Sequence, residues 1–168
     1  RRFARGRSHL IGLMVSDIKN TFYAEMARGI EDQARKLGYL VIICSTDDQT
    51  EVLTRYTETV ISAGADGLIF ASVRLAEPVV RDLINERFPI VMVNRRLKAE
   101  IGEYVVLDNL KGAYQITQHL IESGYRKIDI IIGPNDMSTA VERLKGYKQA
   151  MTENRMHLKN GCVHHVNF

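Results

Sequence analysis

The feature that most constrains the fold is a repeated alternation. Short continuous apolar runs, each the length of a buried strand, are separated by longer stretches with helical spacing. The first cycle occupies Ile11 to Tyr39. Leu10–Val15 is apolar throughout, as a strand covered on both faces must be. A polar turn, Ser16 to Tyr23, leads into a helix that carries Phe22, Met26, Ile30, Ala34 and Leu37 on one stripe. Gly38 closes that helix. On this spacing Phe22 belongs to the core and Tyr23 is the freer aromatic.

The alternation continues along the chain. Tyr39–Cys44 reads as the second strand. Asp48 and Glu51 have capping-box spacing, which predicts a helix starting at Asp48 and ending at Gly64. Gly67–Ala71 is a third strand, and Pro78 opens a helix reaching about Arg87. Pro89–Val93 and Tyr104–Leu107 are the fourth and fifth strands. Leu110, Ala113, Tyr114, Thr117, Leu120 and Ile121 line a further helix, closed by Gly124. Then come Ile128–Ile132, a helix from Thr139 to Asn154 with Thr139 and Glu142 at capping-box spacing, and Cys162–Val166. Such alternation predicts an α/β protein: a doubly wound parallel sheet with helices on both faces. The last two strands either extend that sheet or start another. Two strands and one helix cannot bury a core alone, so in the second case the 168 residues are a fragment of something longer.

Composition narrows the class. The chain is 45% hydrophobic and 26% charged, ordinary for a globular protein. No apolar run approaches the roughly 20 residues of a membrane helix, and no secretory leader opens the chain. The net charge of +3 is concentrated at Arg1, Arg2, Arg5 and Arg7. Without those four, the 23 basic residues fall to about the level of the 20 acidic ones. A neutral body with a basic arm is not a globular surface built to hold nucleic acid. The arm reads as a solvated terminus or as a linker to something that binds a polyanion. Cys44 and Cys162 lie in apolar stretches without Cys-x-x-Cys spacing and read as buried thiols in a reducing compartment.

No catalytic or cofactor signature is present. The dinucleotide fingerprint and the phosphate loop are both absent, as is the nucleophile elbow. Of the five histidines only His164 and His165 are close, and neighbours on a strand point to opposite faces. The chain therefore reads as a non-enzyme without metal or cofactor. What recurs instead is polar groups just past strand after strand: Asp17 and Asn20, then Thr46, Asp47 and Asp48, then Ser72, then Asn94 and Arg95, then Asp108. Thr139 and Arg143 open the helix after the sixth strand. Each has a plainer reading: Asp48, Asp108 and Thr139 as helix caps, Arg95 and Arg96 as a solvated pair. Gathered at the carboxyl edge of one sheet, they suit a hydroxyl-rich or anionic small ligand with an aromatic beneath it.

Several segments together resemble the lactose-repressor/galactose-repressor (LacI/GalR) family of bacterial transcription regulators. They are Ile11-Gly12-Leu13 with Asp17-Ile18-Lys19-Asn20-Thr21-Phe22-Tyr23, Gly64-Ala65-Asp66-Gly67, Val106-Leu107-Asp108-Asn109, Gly124-Tyr125-Arg126-Lys127-Ile128, and Gly133-Pro134 with Arg143-Leu144-Lys145-Gly146-Tyr147. The resemblance implies the effector-binding core of such a regulator, on the fold of periplasmic binding proteins, with the ligand between two subdomains. It implies residues 1–7 as a basic linker after a missing DNA-binding headpiece and hinge, 8–124 as the N-terminal subdomain, and 125–168 as the start of the C-terminal one. Its implied ligand contacts are Asp17, Asn20, Phe22, Tyr23, Arg95, Asp108, Thr139 and Arg143. Its implied partners are a sugar or sugar phosphate, operator DNA through the absent headpiece, and a second copy in a homodimer. The location is cytoplasmic, with no membrane contact. Two departures from the family pattern stand out: Asn20-Thr21-Phe22 where Asn-Pro-Phe is common, and Asn94-Arg95 where Asp-Arg is common. The rival readings are a periplasmic sugar-binding protein of a transport system and, with least support, an α/β enzyme.

Overall fold

The computed structural model describes residues 7–99, 101–158 and 161–166. The basic arm at Arg1, Arg2 and Arg5 falls outside them. The chain divides into two compact units, Arg1–Val105 and Val106–Phe168. The division comes one helix earlier than the sequence reading put it at residue 124, because the helix after Asp108 packs with the later elements.

The first unit contains β1 (Leu10–Val15), α1 (Thr21–Lys36), β2 (Leu40–Ser45), α2 (Thr50–Ser62), β3 (Gly67–Phe70), α3 (Pro78–Asn85), β4 (Ile90–Val93) and β5 (Glu103–Val105). The five strands form one parallel sheet in the order β2-β1-β3-β4-β5. Period-two alternation sends successive residues of β1 to opposite faces. Met14 joins a cluster with Leu53, Val60, Val80 and Leu83 of α2 and α3. Leu13 and Val15 join Tyr23 and Ala27 of α1. Helices thus cover both faces, and each fully buried Leu, Phe or Met contributes about 1.5–3 kcal/mol relative to exposure. The strand order reverses between β1 and β3, and the carboxyl ends of those strands are where ligands sit in such sheets.

α1 is delimited as its residues dictate. The Asn20 side chain accepts from the Phe22 N–H at 3.1 Å and caps the start. At the other end Gly38 takes φ +78, its N–H donating to Arg35 and the Tyr39 N–H to Ala34, a Schellman closure. The buried stripe, however, is Tyr23, Ala27 and Ala34, and Phe22 is 43% exposed. This reverses the sequence reading of the two aromatics. The helix starts at Thr21 with its inward face one position later, so Tyr23 and Ala27, four apart, meet the sheet.

Two other caps differ from expectation. The N-cap of α2 is Gln49, without a side-chain cap bond. Asp47 and Asp48 both adopt left-handed backbone, φ +50 and +53, which holds Asp48 outside the helix and turns its carboxylate elsewhere.

The second unit contains α4 (Asn109–Glu122), β6 (Ile130–Ile132), α5 (Ser138–Glu153) and β7 (Val163–His165). Its two strands pair in parallel as a separate sheet rather than extending the first. The N-cap of α5 is Met137, so Thr139 is a first-turn residue and not the cap; Asp108, as read from sequence, does cap α4 by accepting from Lys111 N–H. The core is Ile121, Ile128, Tyr147, Met151 and Cys162. Gly146 lets α5 lie directly on the α4 backbone. A Cβ there would collide with the Leu110 carbonyl and stand 2.9 Å from the Tyr114 nitrogen.

Candidate functional site

Four loops at the carboxyl edge of the first sheet bring polar side chains together. Thr46, after β2, donates to the Val15 carbonyl at 3.0 Å and lies 3.1 Å from the Ser72 hydroxyl, tying the ends of β1, β2 and β3. On this rigid edge Arg95, after β4, reaches across to Asp48. Nη1 donates to Oδ1 at 2.6 Å and Nη2 to Oδ2 at 3.5 Å. The two side chains are only 10% and 16% exposed. Arg74 adds a bond to the Asp48 carbonyl at 2.7 Å. The sequence alternatives for both residues are thereby corrected: Arg95 is not part of a solvated pair, and Asp48 is not a cap but the acceptor of a buried ion pair.

Tyr23 completes this cluster from α1. Burial pushes its phenol above the ordinary value and Asp48 adds to that shift, while Arg95, Ser16 and Asn94 oppose it. Asn94 is held with φ +67, a backbone state that asparagine tolerates better than most residues. Phe22 stands edge-on to Tyr23, centroids 5.2 Å apart, and leaves an aromatic surface open to solvent. Asp17 and Asn20 shape the preceding turn. Asp17 accepts from the Lys19 N–H at 2.8 Å, and its carbonyl accepts from the Asn20 N–H at 3.1 Å. Of the expected contacts, then, Tyr23 and Arg95 meet in one cluster, Phe22 lies beside it, and Asp17 and Asn20 form its turn. Sequence reasoning placed Asp48 and Asn94 at the same sheet edge but left both, with Ser16, out of the implied contacts.

Asp108, Thr139 and Arg143 belong to the second unit. Asp108 and Arg143 line one open groove of about 410 Å³, with Leu107, Ile116 and Ile131. Arg143 is aimed by Asn109, whose Oδ1 accepts from Nε at 2.9 Å while its amide donates to Glu142 and to the Leu107 carbonyl. Asn109 is buried and is a positioning residue the sequence did not single out. The two terminal nitrogens of Arg143 make no hydrogen bond among the described residues. Thr139 is buried in the first turn of α5. Among the described residues no cluster of His, Cys, Asp or Glu could hold a metal ion, and no helix is long and apolar enough to cross a membrane.

The arrangement has relatives of known kind. Residues 8–165 match the family described as periplasmic binding proteins and sugar binding domain of the LacI family. The transcriptional regulator DegA of Bacillus subtilis is 33% identical over 150 residues, covering 88% of this chain and 44% of DegA. The chain thus spans about half the length of the curated relatives it matches. The transcription regulator CcpA of Lactococcus lactis superposes with TM-score 0.87 at 30% identity, over 95% of this chain and 59% of that one. The Cra dual regulator of Pseudomonas putida, in complex with fructose 1-phosphate, superposes with TM-score 0.82 at 25% identity, over 95% and 58% of the two chains. A parallel α/β architecture, a polar cluster at the strand ends and a match along almost the whole sequence agree: the chain belongs to the LacI family of sugar-binding domains, on the fold of the periplasmic binding proteins.

Proposed function

We propose that the chain is the effector-sensing core of a bacterial DNA-binding transcription regulator, a non-catalytic repressor component that acts in the cytoplasm. The observation that carries this reading is the convergence of Tyr23, Asp48 and Arg95 at the reversal of strand order, beside the exposed ring of Phe22. A buried set of fixed donors and acceptors next to an aromatic face suits a polyhydroxylated ligand, a sugar or a sugar phosphate. Asp17 and Asn20 contribute from the turn; within the second unit, Asp108, Thr139 and Arg143 are assigned as ligand contacts. Regulators among the relatives, DegA and CcpA, favour this reading over a transport component.

The ligand favours one arrangement of the protein, and operator affinity depends on that arrangement, so that ligand and DNA each alter the affinity of the other by the same factor, typically through 1–3 kcal/mol of coupling. A DNA-binding headpiece and a homodimer complete the device. Arg143 supplies the test. In the full-length protein Arg143→Ala abolishes the effect of the ligand on operator binding and leaves operator affinity without ligand close to wild type. Induction unchanged in that variant refutes the assignment.

A further inference from the structure

We infer that Asp48 sets the charge class of the ligand: by neutralising Arg95 it restricts the strand-end site of the first unit to uncharged hydroxyl groups and excludes phosphate or carboxylate there. The inference rests on the effector-site reading above and narrows it.

An arginine at the end of a sheet strand would by itself favour an anion, because its planar fork matches phosphate and carboxylate oxygens. Here the fork is already occupied. Both terminal nitrogens of Arg95 face the Asp48 carboxylate, and Arg74 donates to the carbonyl of the same residue. A phosphate could engage Arg95 only by displacing Asp48, which would leave an unpaired carboxylate next to a second anion in a site almost closed to water.

What the cluster still offers is a donor beside an acceptor. The Arg95 Nε–H is buried without an acceptor among the described residues. Asp48 Oδ2 is held only at 3.5 Å, the long arm of the pair. A hydroxyl can accept from the one and donate to the other, whereas ionised phosphate cannot donate to a carboxylate. The other groups at the cluster, Ser16, Tyr23 and Asn94, are neutral and of mixed donor and acceptor character, and the second cation, Arg74, is held by the Asp48 carbonyl and beside Glu77. A regulator of the same fold holds fructose 1-phosphate, so the fold does not forbid a phosphorylated ligand, and the choice lies with local residues.

The test reads the thermal midpoint of the full-length protein against inorganic phosphate, glucose 6-phosphate and unphosphorylated glucose. The proteins are wild type, Asp48→Asn, Arg95→Gln and the double variant. Phosphate is expected to leave wild type unmoved, to raise the midpoint of Asp48→Asn saturably, and to lose that effect in the double variant. An Asp48→Asn protein that is folded by circular dichroism yet ignores phosphate overturns the inference. If Asp48→Asn does not fold, equilibrium dialysis of phosphate with wild type and Arg95→Gln decides. Binding to wild type that Arg95→Gln removes overturns the inference; no such binding upholds it. Glucose 6-phosphate stabilising wild type through Arg95 would sink the inference while supporting the effector reading. A gain of phosphate response in Asp48→Asn, with no sugar acting on any protein, would uphold the inference and count against that reading.

Discussion

Arg95→Leu removes one half of an ion pair whose side chains are 10% and 16% exposed. Asp48 keeps its charge and loses donors at 2.6 and 3.5 Å. Orphaning a buried charge costs about 3–5 kcal/mol. Asp48 retains a narrow solvent edge, which places the expected loss at the lower end, about 3 kcal/mol. At about 2–4 °C per kcal/mol for a chain of this size, the melting temperature should fall by roughly 6–12 °C. Asp48→Leu should cost a similar amount, since it strands a guanidinium whose Nε already lacks an acceptor. The double variant removes both charges together with their desolvation, so it should recover most of the loss. Denaturant titrations of the four proteins close a double-mutant cycle. The expected coupling is about 2–3 kcal/mol. A coupling under about 0.5 kcal/mol, the value for an exposed pair, would refute the claim that this pair is a buried unit on which the site is built.

Two further outcomes concern the second unit. Gly146→Ala pushes a methyl into the Leu110 carbonyl and the Tyr114 nitrogen, which are helix backbone and cannot swing aside; a loss of about 1–3 kcal/mol is expected in denaturant melts, and a neutral effect would refute the close approach of α4 and α5. Tyr147 donates to the Ile128 carbonyl at 2.7 Å, and burial, then the adjacent Cys162 thiol, hold its phenol well above the ordinary range. The unfolded phenol ionises first, near pH 10. Stability linked to this group is therefore complete below about pH 10 and declines above it. Tyr147→Phe should cost about 1 kcal/mol at neutral pH and remove part of that alkaline decline, read as melting temperature against pH.

The order and type of the elements were legible because each apolar run and each helical stripe is a local property of the chain. Gly38 and Asp108 were legible as terminators for the same reason: their partners lie within one turn. The aromatics of the first turn were not. Phe22 and Tyr23 are adjacent, and a shift of one position in where α1 starts exchanges core for surface. Asp48 was misread because its true partner, Arg95, is 47 residues away, while Glu51 lies at cap spacing nearby. The left-handed backbone that turns Asp48 toward Arg95 has no glycine to announce it. Asn109 was overlooked because its function is to aim Arg143, a contact made across two helices. Of the candidate site, residue types and strand ends could be read from the chain, but the pairings among them could not.

The most direct test of the account is a thermal-shift titration of the full-length protein against a panel of monosaccharides, disaccharides and sugar phosphates, repeated with operator DNA present. At least one compound is expected to stabilise the protein saturably, by about 2.7 kcal/mol when free ligand is about 100 Kd. Its effect should vanish in Tyr23→Ala and Arg143→Ala, and its affinity should change when DNA is bound. A panel in which no compound shifts the midpoint, or a ligand whose affinity is the same with and without DNA, would contradict an effector-sensing core.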